Sequence, residues 1–218
     1  MRYYIITYNK RPLGESGESC STNYDLSKAC IDCGTGATLS GNLRAKGLSN
    51  INKEFFETID GDFLISQNIY GLLRKNFKDF KLTRVIDSQN NYIDYYHFIS
   101  TITLPKFNNN SIGFVIEEQC QTCKRNGYFS DAKIGDIKKN IPTVVHPYVL
   151  RYKYNNFEKY KDEPILNTWE CLGISNRGPS NKSNIRYARP LLIVNEKIKD
   201  IFNREKLSGI LYEQIIIE

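Results

Sequence analysis

Short runs rich in β-branched and aromatic residues recur along the chain, with polar segments between them. They are RYYIITY at 2–8, YIDYYHFISTITL at 92–104, SIGFVIEEQC at 111–120 and PTVVHPYVLRYKY at 142–154. Such residues are enriched in β-strands, so each run predicts a strand. Pro147 interrupts the last run, which predicts an edge or a bulge there. The segment SNRGPSNKSN at 175–184 predicts a flexible loop.

Two longer segments, 63–86 and 192–216, share one pattern of apolar and polar positions. Each begins with a short apolar strand that ends at a helix-capping residue, Ser66 or Asn195. Apolar residues three and four apart then mark one helix face, with Ile69, Leu72 and Leu73 matching Ile198, Ile201 and Phe202. A closing strand follows, with Phe80, Leu82 and Val85 matching Ile210, Tyr212 and Ile215. The pattern predicts two repeat-like strand-helix-strand units, at 62–87 and 190–218, although such units also arise by chance.

Together these elements predict an α+β fold, mainly antiparallel sheet, with two strand-helix-strand units. A length of 218 residues, 40% of them hydrophobic, and a mean hydropathy of −0.47 are typical of one soluble domain. We therefore expect a single domain over 1–218. No window approaches the roughly 20 apolar residues of a membrane helix, and the first residues do not form a signal peptide. The expected location is the cytoplasm, with no membrane partner.

Four of the six cysteines form two Cys-x-x-Cys pairs, Cys30 with Cys33 and Cys120 with Cys123, separated by 86 residues. In a reducing compartment such pairs indicate metal binding or redox chemistry. Two redox dithiols, or four unrelated buried thiols, are the alternatives to one shared zinc ion. We favour one shared zinc ion, because two such pairs are a stronger signal than one. We expect it to be structural, because four thiolates leave no position for an activated water. The α+β fold would then include a zinc-knuckle pair, in a zinc subdomain built from about 20–40 and 112–130. Cys20 and Cys171 are interpreted as buried or incidental surface thiols, unless one of them replaces a zinc ligand.

The knuckle CIDCG at 30–34, its mate at 120–123 and the two strand-helix-strand segments resemble the bacterial double-CXXCG-motif proteins and related immunity proteins of polymorphic toxin systems. Lys124 stands where the second knuckle of that family would have glycine, which predicts a second turn of different shape. The resemblance implies a protein without enzymatic activity that binds and neutralises a cognate protein toxin.

Candidate catalytic residues are sparse in the sequence. The two histidines, His97 and His146, fall in separate predicted strands, where a histidine is usually hydrogen-bonded and half-buried. Glu117 and Glu118 are adjacent, so on a strand their side chains point to opposite faces and cannot form an acid-base pair. No nucleophile elbow or phosphate-binding loop is recognisable. We therefore expect that the protein is not an enzyme.

Nucleic-acid binding by the zinc knuckle is the alternative function. Lys124, Arg125 and Tyr128 lie on or beside the second knuckle, and RYKYNNFEKYK at 151–161 interleaves basic and aromatic residues as a stacking surface would. An ordinary half-buried strand shows the same alternation. A net charge of +6 is small for this length, which favours a protein partner over nucleic acid and, more weakly, a toxin with an acidic contact surface. The 15 tyrosines also suit protein recognition.

Overall fold

The computed structural model describes residues 1–133, 144–175 and 188–218. Helices are few and short, and most strands pair antiparallel, so the predicted α+β fold with mainly antiparallel sheet is confirmed. The helices are α1 (Gln67–Asn76), α2 (Tyr154–Phe157) and α3 (Glu196–Arg204). The strands are β1 (Tyr3–Tyr8), β2 (Glu15–Ser16), β3 (Tyr24–Asp25), β4 (Thr38–Leu39), β5 (Ala45–Lys46), β6 (Phe55–Glu57), β7 (Phe63–Ser66), β8 (Arg84–Ile86), β9 (Tyr92–His97), β10 (Phe114–Ile116), β11 (Tyr128–Ser130), β12 (Ala132–Lys133), β13 (Val144–Val145), β14 (Arg151–Tyr152), β15 (Ile165–Leu172), β16 (Arg189–Asn195), β17 (Ile210–Gln214) and β18 (Ile216–Ile217).

Two four-stranded antiparallel sheets organise the chain. Their strand orders are β6-β7-β9-β8 and β15-β16-β1-β17. The smaller pairs are β2-β5, β3-β4, β10-β11 and β12-β13, all antiparallel, and β14-β18, which is parallel. The run 92–104 forms a shorter strand than predicted, because β9 ends at His97. Residues 176–184 of the predicted flexible loop, and 142–143 of the fourth predicted strand, lie outside the described residues.

The two longer helices, α1 and α3, begin directly after the predicted capping residues. The Ser66 hydroxyl accepts a hydrogen bond from the Ile69 N–H at 3.3 Å, and the Asn195 side-chain oxygen accepts one from the Ile198 N–H at 3.0 Å. Each cap satisfies one of the amides that a helix start leaves unpaired. The predicted caps are therefore confirmed, and both lie at the end of the strand that precedes the helix.

The two units share their strand register as well as their caps. Ser66 lies opposite Tyr95 in β9, and Asn195 lies opposite Tyr3 in β1. In the first sheet β9 lies between β7 and β8, and it follows β8 directly in the sequence. In the second sheet the equivalent position, between β16 and β17, is occupied by β1, which is the first strand of the chain. The second unit is therefore completed by a strand that lies nearly two hundred residues earlier in the chain.

The closing strand of the first unit is shorter than the sequence pattern predicts. It begins only at Arg84, whereas its counterpart β17 begins at Ile210. The His97 N–H donates to the Thr83 carbonyl, and β9 ends at that residue, so Phe80 and Leu82 have no strand beside them. Both side chains pack into the core instead.

The core consists of three clusters of buried side chains. The cluster to which a strand residue belongs depends on the face of the sheet to which its side chain points. The helix-facing sides of both sheets share one cluster, to which α1 contributes Ile69 and Leu73 and α3 contributes Ile198, Ile201 and Phe202. Successive strand residues point to opposite faces, so Tyr4 and Ile6 join this cluster while Tyr3 and Ile5 enter a second one. The third cluster, around Phe56 and Leu64, covers the far face of the first sheet. The predicted helix faces are confirmed, with Leu72 half-buried.

Candidate metal centre

The four paired cysteines converge on one point. The Cys30 and Cys120 sulfurs lie 3.9 Å apart, the Cys33 and Cys123 sulfurs lie 3.6 Å apart, and all four lie within 4.8 Å of one another. A tetrahedral ion with zinc–sulfur bonds of about 2.3 Å requires sulfurs about 3.8 Å apart. A disulfide would bring two sulfurs to about 2.05 Å. The spacing therefore suits a shared metal ion and not a pair of disulfides.

Each pair lies on a tight turn of the same form. The Gly34 N–H donates to the Cys30 carbonyl at 2.8 Å, and the Lys124 N–H donates to the Cys120 carbonyl at 2.9 Å. Gly34 has φ 76° and Lys124 has φ 54°, so both residues adopt the left-handed conformation. The expectation that Lys124 gives the second turn a different shape is wrong. The backbone hydrogen bond imposes the same turn on lysine despite the steric cost of its Cβ.

Polar groups of both turns point at the sulfurs. The Thr35 backbone amide points at the Cys33 sulfur, and the Cys33 thiol donates to the Thr35 hydroxyl at 3.1 Å. The backbone amides of Thr122 and Cys123 donate to the Cys120 sulfur, and the Arg125 amide donates to the Cys123 sulfur. Donors of this kind stabilise thiolates, the form of cysteine that binds a metal.

The thiols differ in how readily they ionise without a cation. Burial raises the pKa of the Cys33 thiol to about 12, and the hydrogen bonds with Thr35 lower it by a smaller amount. Burial also raises the pKa of Cys120, but backbone N–H groups and neighbouring thiols outweigh it and lower that pKa to about 7. A divalent cation at the centre of the four sulfurs would favour the ionised form of all of them. A bound ion would therefore lower the pKa of the buried Cys33 thiol, whose pKa without an ion is about 12.

The second turn is anchored to β15. The Arg125 carbonyl accepts from the Cys171 N–H at 2.6 Å, and its side-chain Nε donates to the Trp169 carbonyl at 3.1 Å. The Arg125 guanidinium also lies 5.6 Å from the centre of the Trp169 ring. Buried Asn126 accepts from the Cys120 N–H at 2.9 Å. Sequence reasoning missed Asn126 and Trp169, because neither carries a signal beyond its place near a knuckle or in a strand.

A side-chain contact also joins the two turns directly. The Thr122 hydroxyl donates to the Asp32 carboxylate, across 90 residues of sequence. Both residues occupy the variable positions of the Cys-x-x-Cys motifs, and Ile31 beside Asp32 is exposed. The contact fixes the turns relative to one another near the sulfurs.

Cys20 and Cys171 do not belong to the four-sulfur group. Cys20 is partly exposed in the 3₁₀ turn Gly17–Cys20, and Cys171 is buried in β15. Burial raises the pKa of the Cys171 thiol to about 12. The interpretation of Cys171 as a small buried side chain agrees with this environment.

We expect K124G to stabilise the protein. A left-handed conformation costs a residue with a Cβ about 1 kcal/mol, which glycine avoids, and the Lys124 side chain is exposed and buries little. Denaturant unfolding with metal in excess should show a gain of up to about 1 kcal/mol. The reciprocal change, G34A, should lose stability for the same reason. If K124G were less stable than the unmodified chain, the turn would depend on a contact of the lysine side chain.

A second polar cluster is buried between the two sheets. The Asp62 carboxylate accepts from the Ser16 hydroxyl at 2.7 Å and from the Arg189 guanidinium at 2.7 Å, and it lies 3.2 Å from His97 Nε2. Asp62, Ser16 and His97 are almost fully buried. Aspartate lies between serine and histidine here, whereas a hydrolytic triad needs histidine in the middle to take the serine proton. The cluster therefore joins the two halves of the fold. His97 has a polar partner in Asp62, but the expectation that it is half-buried is wrong, because its side chain is fully buried.

No protein-family model matches the chain, and no curated protein matches it. Within residues 1–133, 144–175 and 188–218, no helix has both the length and the apolar character needed to cross a membrane.

Proposed function

We propose that this protein is an immunity-type inhibitor that binds and neutralises a cognate bacterial toxin in the cytoplasm, with a structural zinc ion holding its two knuckles together. The observation that carries the proposal is the four-thiol centre, in which every ligand position is filled by the chain. Such a centre joins distant segments without leaving a position for substrate or water. The resemblance of the knuckles and helical units to toxin-immunity proteins supplies the kind of partner.

Zinc is the ion that this donor set favours. Four thiolates in tetrahedral array select zinc or iron, and a site without an open position on a small α+β fold is typical of structural zinc. Amides that point at Cys33, Cys120 and Cys123 fit the charge of a four-thiolate centre. The ion would connect the turn at Cys30–Cys33, which precedes the first strand-helix-strand unit, to the turn at Cys120–Cys123, which precedes the second unit.

The arrangement of polar and apolar side chains in the described residues supports a role as an inhibitor and not as an enzyme. Ser16 and Arg189 donate to the buried Asp62 carboxylate, which lies beside His97, and Glu117 and Glu118 are exposed on the surface. Exposed apolar side chains lie near the second knuckle, at Val115 and Ile116. A contiguous exposed apolar patch bordered by polar residues is typical of protein-binding surfaces.

The alternative function, nucleic-acid binding, receives less support from the segment 151–161. Tyr152 and Phe157 are buried in the core, and Arg151 pairs with Glu218. Tyr154 is the exposed aromatic residue of this segment. Arg125, beside the second knuckle, is stacked on Trp169. A base-stacking platform needs several exposed rings beside free basic groups, so we favour the protein partner.

The test is a neutralisation assay with the full chain. The protein encoded beside this one should be toxic when expressed alone and harmless when both are expressed together. Purified inhibitor should capture that protein in a stoichiometric complex, and metal analysis of the same preparation should find one zinc ion per chain. Recovery of RNA or DNA in its place, lost at raised salt, would overturn the proposal in favour of the alternative. Iron in the preparation would overturn only the assignment of zinc.

A further inference from the structure

Among the residues that the structure describes, β10 has one paired edge and one open edge. The Asp131 N–H donates to the Gly113 carbonyl, and the Glu117 N–H donates to the Gly127 carbonyl, so the odd-numbered residues bond to β11. In an antiparallel pair the residues between them direct their N–H and C=O groups to the other side. The backbone groups of Phe114 and Ile116 therefore face away from β11.

Pro147 explains why the described chain does not cover this edge. Ile112 exchanges both backbone hydrogen bonds with Val149, at 3.2 and 3.0 Å. Continuing that ladder would place Pro147 opposite Phe114, and proline has no N–H to donate. The chain before Pro147 pairs with β12 instead, through β13. Within the part of the chain that the structure describes, Phe114 and Ile116 have no strand partner beyond β11.

The side chains along this edge are apolar and then acidic. Val115 is 40% exposed and Ile116 is 54% exposed. Glu117 and Glu118 follow them directly, and both are exposed. Proteins usually protect an open edge with lysine, proline or a bulge, because an exposed apolar edge recruits another strand. Glu117 and Glu118 place two negative charges at the end of this edge, whereas the net charge of the whole chain is positive.

We propose that the outer edge of β10 binds an extended segment of the partner protein, which adds a strand beside Phe114 and Ile116. That segment carries apolar side chains at alternate positions and lysine or arginine where it passes Glu117 and Glu118. Backbone hydrogen bonds provide the affinity in this mode of recognition, and the alternate side chains provide the specificity. The inference rests on the proposed function only in naming the toxin as the source of the segment.

The experiment compares variants of the full, metal-loaded chain with a short synthetic peptide that alternates isoleucine and lysine. I116P removes one outward N–H, while the hydrogen bonds from β10 to β11 are made by residues on either side of it. Fluorescence anisotropy should show at least about tenfold weaker peptide binding to I116P, with metal content unchanged. Hydrogen exchange should slow at the Phe114 and Ile116 amides of the unmodified chain when peptide binds, and not at Val115, whose amide already bonds to β11.

Charge reversal tests the second half of the inference. E117K/E118K should weaken binding of the lysine peptide and strengthen binding of a matched glutamate peptide, whereas E158K, an exposed site remote in sequence, should change neither. Equal binding to all variants, or protection of other amides, would overturn the inference. A dimer of the unmodified chain that I116P dissociates would overturn it too, because a second copy would then occupy the edge. None of these results depends on toxin neutralisation, so each proposal can fail without the other.

Discussion

C33S is expected to release the metal ion and loosen both knuckles together. Cys33 is the buried member of the four-thiol centre, and its sulfur lies 3.6 Å from that of Cys123, which comes from the other knuckle. A serine hydroxyl is a poor replacement for a thiolate in a sulfur site. The loss of stability should be on the order of 4 kcal/mol, the contribution of an ion present at about a thousand times its dissociation constant.

Metal analysis and denaturant unfolding of the same preparation measure this effect. C20S is the matched control, since Cys20 is partly exposed and lies outside the four-thiol group. It should keep one ion per chain and the unmodified midpoint. Hydrogen exchange should rise in C33S around 30–36 and around 120–127 alike, because the ion is shared. A C33S protein with full metal content and an unchanged midpoint would show that the four thiols do not form one site.

E170Q is expected to remove a fall in stability between about pH 4.5 and pH 7. Glu170 in β15 is 3% exposed. Its Oε1 accepts a hydrogen bond from the Phe107 N–H at 3.0 Å. Its Oε2 and the buried Tyr152 hydroxyl have no hydrogen-bond partner among the described residues. Burial raises the pKa of this carboxyl from 4.5 to about 7, although backbone amides and the charges of Lys106 and Arg125 oppose the shift.

The direction of the effect follows from the raised pKa. The folded state holds the Glu170 proton more tightly than the unfolded chain does, so this contribution to stability is complete below about pH 4.5. It is lost as the pH rises through about 7, where the buried carboxylate must ionise. At about 1.4 kcal/mol for each unit of pKa, the loss is on the order of 3 kcal/mol. Glutamine has no proton to lose, so E170Q should be more stable than the unmodified chain at pH 8.

Denaturant unfolding across this pH range, with metal in excess, measures the difference between the two proteins. Taking the difference removes the titration of groups that they share, including Glu57, whose pKa burial raises to about 6. E158Q, at an exposed position, is the control and should leave the pH profile unchanged. Parallel profiles for E170Q and the unmodified chain would mean that Glu170 stays ionised in the folded protein, with a cation or water compensating its charge.

The helical units show how far local sequence signals reach. Capping by Ser66 and Asn195 involves an amide only three residues away, and a helix face repeats within two turns. Both features were therefore predictable. The closing strand of the first unit was predicted too long, because the extent of a strand depends on its neighbour. β9 ends at His97, and no property of Phe80 or Leu82 reveals that.

The sequence by itself determined the α+β class, the helix caps and faces, and the two cysteine pairs, because each depends on residues that are close together in the chain. Only the tertiary structure brought the pairs to within 4.8 Å of each other, gave Lys124 the turn of Gly34, and placed β1 in the sheet of the second unit. It also decided that Asp62 meets Arg189 across 127 residues and that, within the described parts of the chain, Pro147 leaves β10 with an open edge. Contacts over such distances depend on how whole sheets pack, and many sequences with the same local pattern could pair differently.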